Sequence, residues 1–201
     1  MSTIGTFNQS VRYSTKIGGY RRVFEGHVSL LVGGFSFDLN DLPEAGNVLP
    51  AGTPVYVDEV ARTIKPLYGF KVLKNDGTAL TVEKGLSGTR AKVGMTIEGQ
   101  KVASIDKSDP TCDVLTMEAA VTTAKVGGVV YGVMDGKDIK TKVNALTPYD
   151  TCLDPHAVSA DGDGAWASDF PVLETRMPPI TDEVKKALNS NGCFFRFSNR
   201  H

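Results

Sequence analysis

The residues able to do chemistry are few and scattered. Ser104-Ile105-Asp106-Lys107 has the Ser-x-x-Lys spacing that, on a helix, brings an amine onto a hydroxyl for acyl transfer. Here Ser104 falls in an alternating, strand-like stretch and Lys107 in the turn after it, so hydroxyl and amine have no reason to meet. Asp161-Gly162-Asp163-Gly164 resembles a fragment of a calcium loop. That loop needs glycine at position 6 and a bidentate Glu at position 12, where this chain has Trp166 and Val172. The simpler reading is a tight turn. His27, His156 and His201 lie far apart, and none has a metal-ligand spacing. Cys112, Cys152 and Cys193 form no C-x-x-C pair, and read as buried free thiols of a protein made in a reducing cytosol. No glycine-rich loop runs from a strand into a helix, so no phosphate cradle is predicted. A hydrolase assembled from distant positions has no positive support, and no metal or cofactor is expected.

The elements around these residues read as β. A short lead-in to a strand occurs three times: Leu49-Pro50-Ala51-Gly52-Thr53-Pro54-Val55, Ala91-Lys92-Val93-Gly94-Met95-Thr96-Ile97, and Ala124-Lys125-Val126-Gly127-Gly128-Val129-Val130. In each, a glycine supplies a turn that β-branched residues resist, and an apolar strand follows. Val28–Val32 and Phe35–Phe37 flank Gly33-Gly34 as a hairpin or a bent strand. Val55–Val57, Ile64–Leu73, Leu80–Val82, Ile97–Ile105, Asp113–Glu118 and Val129–Val133 follow as strands, with Asn75-Asp76-Gly77 as a hairpin turn. Short intervals between strands, without long helical patterns, predict antiparallel pairing. One helix is predicted after Pro178-Pro179-Ile180. Thr181 is its N-cap, Asp182 and Glu183 suit its positive end, Val184 and Leu188 share one face, and Gly192 ends it. Cys193–Phe197 then reads as a terminal strand whose phenylalanines need cover from this chain or another copy.

The fold expected is therefore mainly β: a compact antiparallel barrel- or sandwich-like module with short flanking extensions and one short C-terminal helix. Residues 1–25 read as a flexible basic arm, 26–143 as the β-rich core, and 144–201 as an extension carrying the helix and the terminal strand. In the arm, Arg12, Lys16, Arg21 and Arg22 are unopposed before Glu25. Such a segment is either a solvated tail or an arm that orders on an acidic partner.

Composition bounds the function. The 201 residues are 41% hydrophobic and 22% charged, with net charge −1, 21 glycines and 10 prolines. A near-neutral chain lacks the clustered cations that nucleic-acid binding rests on. No apolar run approaches the roughly 18 residues of a membrane span, and Met1-Ser2-Thr3-Ile4-Gly5 does not read as a secretory signal. Neither nucleic acid nor membrane is an expected partner.

In order along the chain, several blocks resemble phage head fibre and capsid decoration proteins, especially those of phages and prophages of Bacteroides-type bacteria. They are Leu49–Val55, Lys92–Ile97, Val102–Ser108 and Cys112–Met117, then Glu174–Ile180, Lys185-Lys186-Ala187-Leu188 and the aromatic close Phe194–Phe197. The resemblance covers over half the chain. It implies a non-catalytic β-rich virion protein on the capsid exterior, made in the bacterial host cytoplasm. Such a protein is commonly a homotrimer at a three-fold position that cements major capsid protein or anchors a fibre. This chain has no heptad-bearing helix for a stalk, which favours decoration over a long fibre. On this reading Arg12, Lys16, Arg21 and Arg22 lie against an acidic capsid surface, and Phe194, Phe195 and Phe197 form a subunit interface. The competing expectation is a carbohydrate- or surface-binding β module, with Trp166 and Tyr149 as its stacking residues.

Overall fold

The computed structural model describes residues 11–12, 22–31, 34–44, 47–85, 88–153 and 159–199. In chain order its strands are β1 (Val11–Arg12), β2 (Val28–Leu30), β3 (Phe35–Phe37), β4 (Val48–Leu49), β5 (Pro54–Asp58), β6 (Thr63–Pro66), β7 (Tyr68–Asn75), β8 (Ala79–Glu83) and β9 (Thr96–Ile97). They continue with β10 (Gln100–Asp106), β11 (Cys112–Met117), β12 (Val129–Val133), β13 (Ala145–Leu146), β14 (Thr151–Leu153), β15 (Ala160–Gly162), β16 (Ala165–Ser168), β17 (Val172–Leu173) and β18 (Phe197–Ser198). Helix α1 (Asp182–Ser190) lies between β17 and β18.

The protein is mainly β, as the alternation predicted. Six strands close into an antiparallel barrel in the order β10-β11-β8-β7-β12-β9. Alternate residues of these strands, among them Val72, Leu80, Val82, Ile97 and Leu115, are almost fully buried and fill the interior. The turn joining β9 to β10 is Glu98-Gly99, with φ of +47° and +84°. Two positive φ values across a two-residue loop match the right-handed twist of the strands it connects.

The second assembly is a seven-stranded sheet in the order β15-β3-β6-β5-β13-β16-β2. Its pairings are antiparallel except β3 with β6. The barrel strands fall between β6 and β13 in sequence, so the chain leaves the sheet, builds the barrel and returns. The segment after residue 143 supplies β13, β15 and β16, two of them interior members. Two smaller groups complete the pairing: β1-β14-β4, and β17 parallel to β18.

The three lead-ins share one geometry. Gly52, Gly94 and Gly127 have φ of +78°, +86° and +80°, and β5, β9 and β12 each begin two residues later. Gly52 is also confined, because a Cβ there would lie 2.7 Å from that of Met177. Val28–Leu30 and Phe35–Phe37 do not pair as the expected hairpin or bent strand, and Gly33 lies outside the described residues. β2 is the sheet's edge, paired with β16, whereas β3 lies near the opposite edge between β15 and β6.

Helix α1 forms where the caps and spacing place it. Val184 and Leu188 are fully buried in one apolar cluster with Val23, Phe24, Leu67, Tyr131 and Val172, and each such side chain contributes roughly 1.5–3 kcal/mol. Gly192 (φ +91°) turns the chain so that Cys193 N–H reaches the Leu188 carbonyl at 3.1 Å. Thr181 is the N-cap residue, but its side chain caps no helical N–H. The predicted terminal strand is shorter than its apolar run: Phe194 makes one bridge to Ala167, and only Phe197–Ser198 is a strand. Among the described residues, no helix is long and apolar enough to cross a membrane.

Candidate functional site

The chemical candidates are each committed elsewhere. Ser104 is exposed on β10, and Lys107 Nζ lies 2.6 Å from a Glu44 carboxylate oxygen. Asp106 closes a turn by accepting Ser108 N–H at 2.9 Å. Asp161 accepts a hydrogen bond from the Ser36 hydroxyl and Asp163 one from the Tyr149 phenol. Among the described residues no group of three or more His, Cys, Asp or Glu is placed to hold a metal. His27 is exposed, and His156 and His201 lie outside the described residues. Cys112 is half-buried and Cys193 buried. Burial pushes the Cys193 thiol up to about 11, and its Sγ donates to the Asn144 carbonyl at 3.0 Å. That thiol is a packing group with little thiolate character. Cys152 is described only in its backbone, in β14.

Of the basic arm, Arg12 pairs through its backbone with Cys152, and Lys16 and Arg21 lie outside the described residues. Arg22 is exposed, and its carbonyl accepts a hydrogen bond from Arg176 Nη1 at 3.2 Å.

The three phenylalanines separate. Phe195 is 7% exposed and lies between Phe24 and Phe197, each 6.3 Å away between ring centres. Its cover comes from its own chain. Phe197 is half-buried under the Lys185 ammonium, 5.5 Å from the ring centre. Phe194 is 69% exposed and meets Trp166 edge-on at 6.0 Å. The Phe194 N–H donates to the Trp166 carbonyl at 2.9 Å, so backbone pairing to β16 fixes this aromatic pair at the surface. Tyr149, the other aromatic read as a stacking residue, is half-buried.

The polar interior at one end of the barrel was not read from the sequence. Asp113 in β11 is buried, accepts from the Thr89 hydroxyl at 3.1 Å, and pairs with Lys84 Nζ at 3.0 Å. Lys84 also donates to the carbonyls of Lys107 and Asp109. This ammonium therefore ties the β10–β11 turn to the end of β8. Nearby, the Arg90 guanidinium lies 5.4 Å above the Phe70 ring. A cavity of about 350 Å³ opens there, lined by Lys71, Glu83, Arg90, Arg176, Met177 and Pro179 among others. The only sequence signal for Asp113 is a charged residue at an inward position of an alternating strand.

A second cavity, about 220 Å³, lies beside the β9–β10 turn and includes Leu67, Glu98, Tyr131 and Lys140. Both Glu98 carboxylate oxygens accept from Lys140 Nζ at 2.9 Å, and Oε1 also accepts Tyr131 N–H at 3.1 Å. These bonds hold a non-glycine residue in the left-handed region. The arrangement is a clamp between the barrel and the loop after β12.

Comparison with family models, curated proteins and solved structures gives no match for this chain.

Proposed function

We propose that this chain is a structural virion protein that decorates or cements the outside of a phage capsid. The observation that carries the reading is the Phe194–Trp166 pair, two large aromatics held at the surface by backbone hydrogen bonding. Fixed, exposed aromatics lose little side-chain entropy on docking and commonly dominate protein interfaces. The ordered blocks that resemble head fibre and decoration proteins support the same reading: Leu49–Val55 and Lys92–Ile97 include two of the lead-ins that start strands. Under this proposal the chain acts by contact area and copy number, with major capsid protein as its partner and a homotrimer as its assembled form.

The test is solution mass by light scattering across a concentration series, followed by co-sedimentation with empty heads of the phage or prophage that encodes the chain. Binding to heads that is lost in Phe194→Asp supports the proposal. Failure to co-sediment at any concentration overturns it.

The same aromatic pair favours a second reading, a carbohydrate-binding β module in which Trp166, 36% exposed, stacks on a sugar ring. A glycan screen separates the two: glycan binding abolished by Trp166→Ala, with no binding to heads, would select this alternative.

A further inference from the structure

Arg90, in the loop between β8 and β9, is 6% exposed and carries five N–H donors. Its visible partner is the face of Phe70. Among the described residues its guanidinium makes no hydrogen bond, and no carboxylate lies within ion-pair distance of it. Its nitrogens are not sealed off either, since the residue lines the 350 Å³ cavity. Burial lowers its pKa to about 10, so the charge persists at neutral pH. A buried, charged arginine with no hydrogen-bonded carboxylate is costly, and an anion entering the cavity would offset that cost.

Glu83 and Asp113 favour the Arg90 charge through space, but the charged groups of the cavity have their direct partners elsewhere. Lys84 is engaged by Asp113 at 3.0 Å, Glu174 by Lys185 at 2.7 Å, and Glu83 faces Lys71 at 3.8 Å. Arg176 donates through Nη1 to the Arg22 carbonyl, and among the described residues no carboxylate lies within ion-pair distance of it. Arg90 and Arg176 therefore line one cavity with hydrogen-bond donors to spare. Met177, Pro178 and Pro179 add an apolar wall beside them.

We infer that this cavity binds a small oxyanion, a carboxylate or phosphate group on a short apolar stem, through Arg90 and Arg176. The planar guanidinium fork matches two oxygens of either group, and the apolar wall takes the stem. The inference does not depend on the capsid reading.

The test is a two-dimensional amide NMR titration of the full-length chain with inorganic phosphate and, separately, with butyrate, at constant ionic strength set by sodium chloride. Saturable shifts confined to the amides around Gly85, Arg90, Arg176 and Met177 are expected, and the probe with the lower midpoint identifies the preferred oxyanion. Arg176→Gln, on a half-buried side chain, should weaken that binding about tenfold or more while leaving distant signals in place. Arg90→Gln should abolish it; should that variant fail to fold, Arg176→Gln carries the test. Shifts that stay linear past about 10 mM for both probes, or an unchanged midpoint in folded Arg176→Gln, overturn the inference.

Discussion

Tyr131, in the last strand of the barrel, holds the start of the helix. Its phenol oxygen accepts the Thr181 N–H at 2.7 Å and shares a hydrogen bond with the Thr181 hydroxyl at 3.0 Å. The threonine side chain is thus used to fix α1 to the barrel. Tyr131→Phe should cost about 1–2 kcal/mol, read as a lower denaturant midpoint at unchanged slope. Amide exchange should accelerate in Asp182–Ser190 more than in the barrel; uniform acceleration would show that this bond does not set the helix's position.

The buried pair of Lys84 and Asp113 makes a sharper demand. Lys84→Ala should cost about 3–5 kcal/mol, because it leaves the Asp113 carboxylate sealed in the barrel end without its cation. Combining Lys84→Met with Asp113→Leu should recover most of that loss. Thermal melts of the single and double variants measure it, and an additive double variant would show that the two charges are not coupled.

Phe194 and Phe195 are adjacent and should behave oppositely. Phe195→Asp places a charge among Phe24 and Phe197 and should cost about 3 kcal/mol or more in stability. It therefore cannot report on self-association, the use its sequence context suggested. Phe194→Asp should leave stability within about 0.5 kcal/mol and remove any oligomer seen by light scattering. An oligomer that survives in a folded Phe194→Asp protein would place the interface elsewhere.

Asp41 sets an acid-side pH dependence. Burial, and then the Asp38 carboxylate, raise its pKa from 3.8 to about 6, with Asp135 adding to the shift and Lys65 and Lys92 opposing it. The folded state holds this proton more tightly than the unfolded chain. Its stabilising contribution is complete below about pH 4 and is lost as the pH rises through about 6. Asp41→Asn should therefore raise stability at pH 7 by about 1–3 kcal/mol and flatten the stability profile between those values. Urea titrations at pH 4 and pH 7 test this; an equal effect at both would remove Asp41 as the cause.

The barrel strands were legible because each is a short alternating run beside its own turn, as in Asn75-Asp76-Gly77 between β7 and β8. The helix was legible because Val184, Leu188 and the flanking Thr181 and Gly192 are all local signals. The seven-stranded sheet was not, since pairing β2 with β16 joins residues that share no neighbouring pattern. Terminal aromatics read alike in sequence, yet Phe194 points out and Phe195 in, a difference set by bridging to Ala167. Arg90 and the Lys84–Asp113 pair were missed for the same reason. Lys84 and Arg90 share a cavity with the sequence-remote segment Glu174–Pro179, and Asp113 meets Lys84 and Thr89 from a different strand.

The placement of the barrel between β6 and β13 bears on how the chain is made. During translation, Tyr68–Val133 leaves the ribosome as one continuous segment that holds every strand of the barrel, but the barrel closes only when β12 appears to pair with β7 and β9. By then β3, β5 and β6 have also emerged, but β13, β15 and β16 have not. The nascent sheet thus waits with unpaired edges, the state most prone to joining another chain. β3 and β5 pair with β6 at once. They gain their other neighbours, β15 and β13, and β2 gains β16, only when residues 145–168 arrive, so a chain released early would carry a finished barrel on an open sheet.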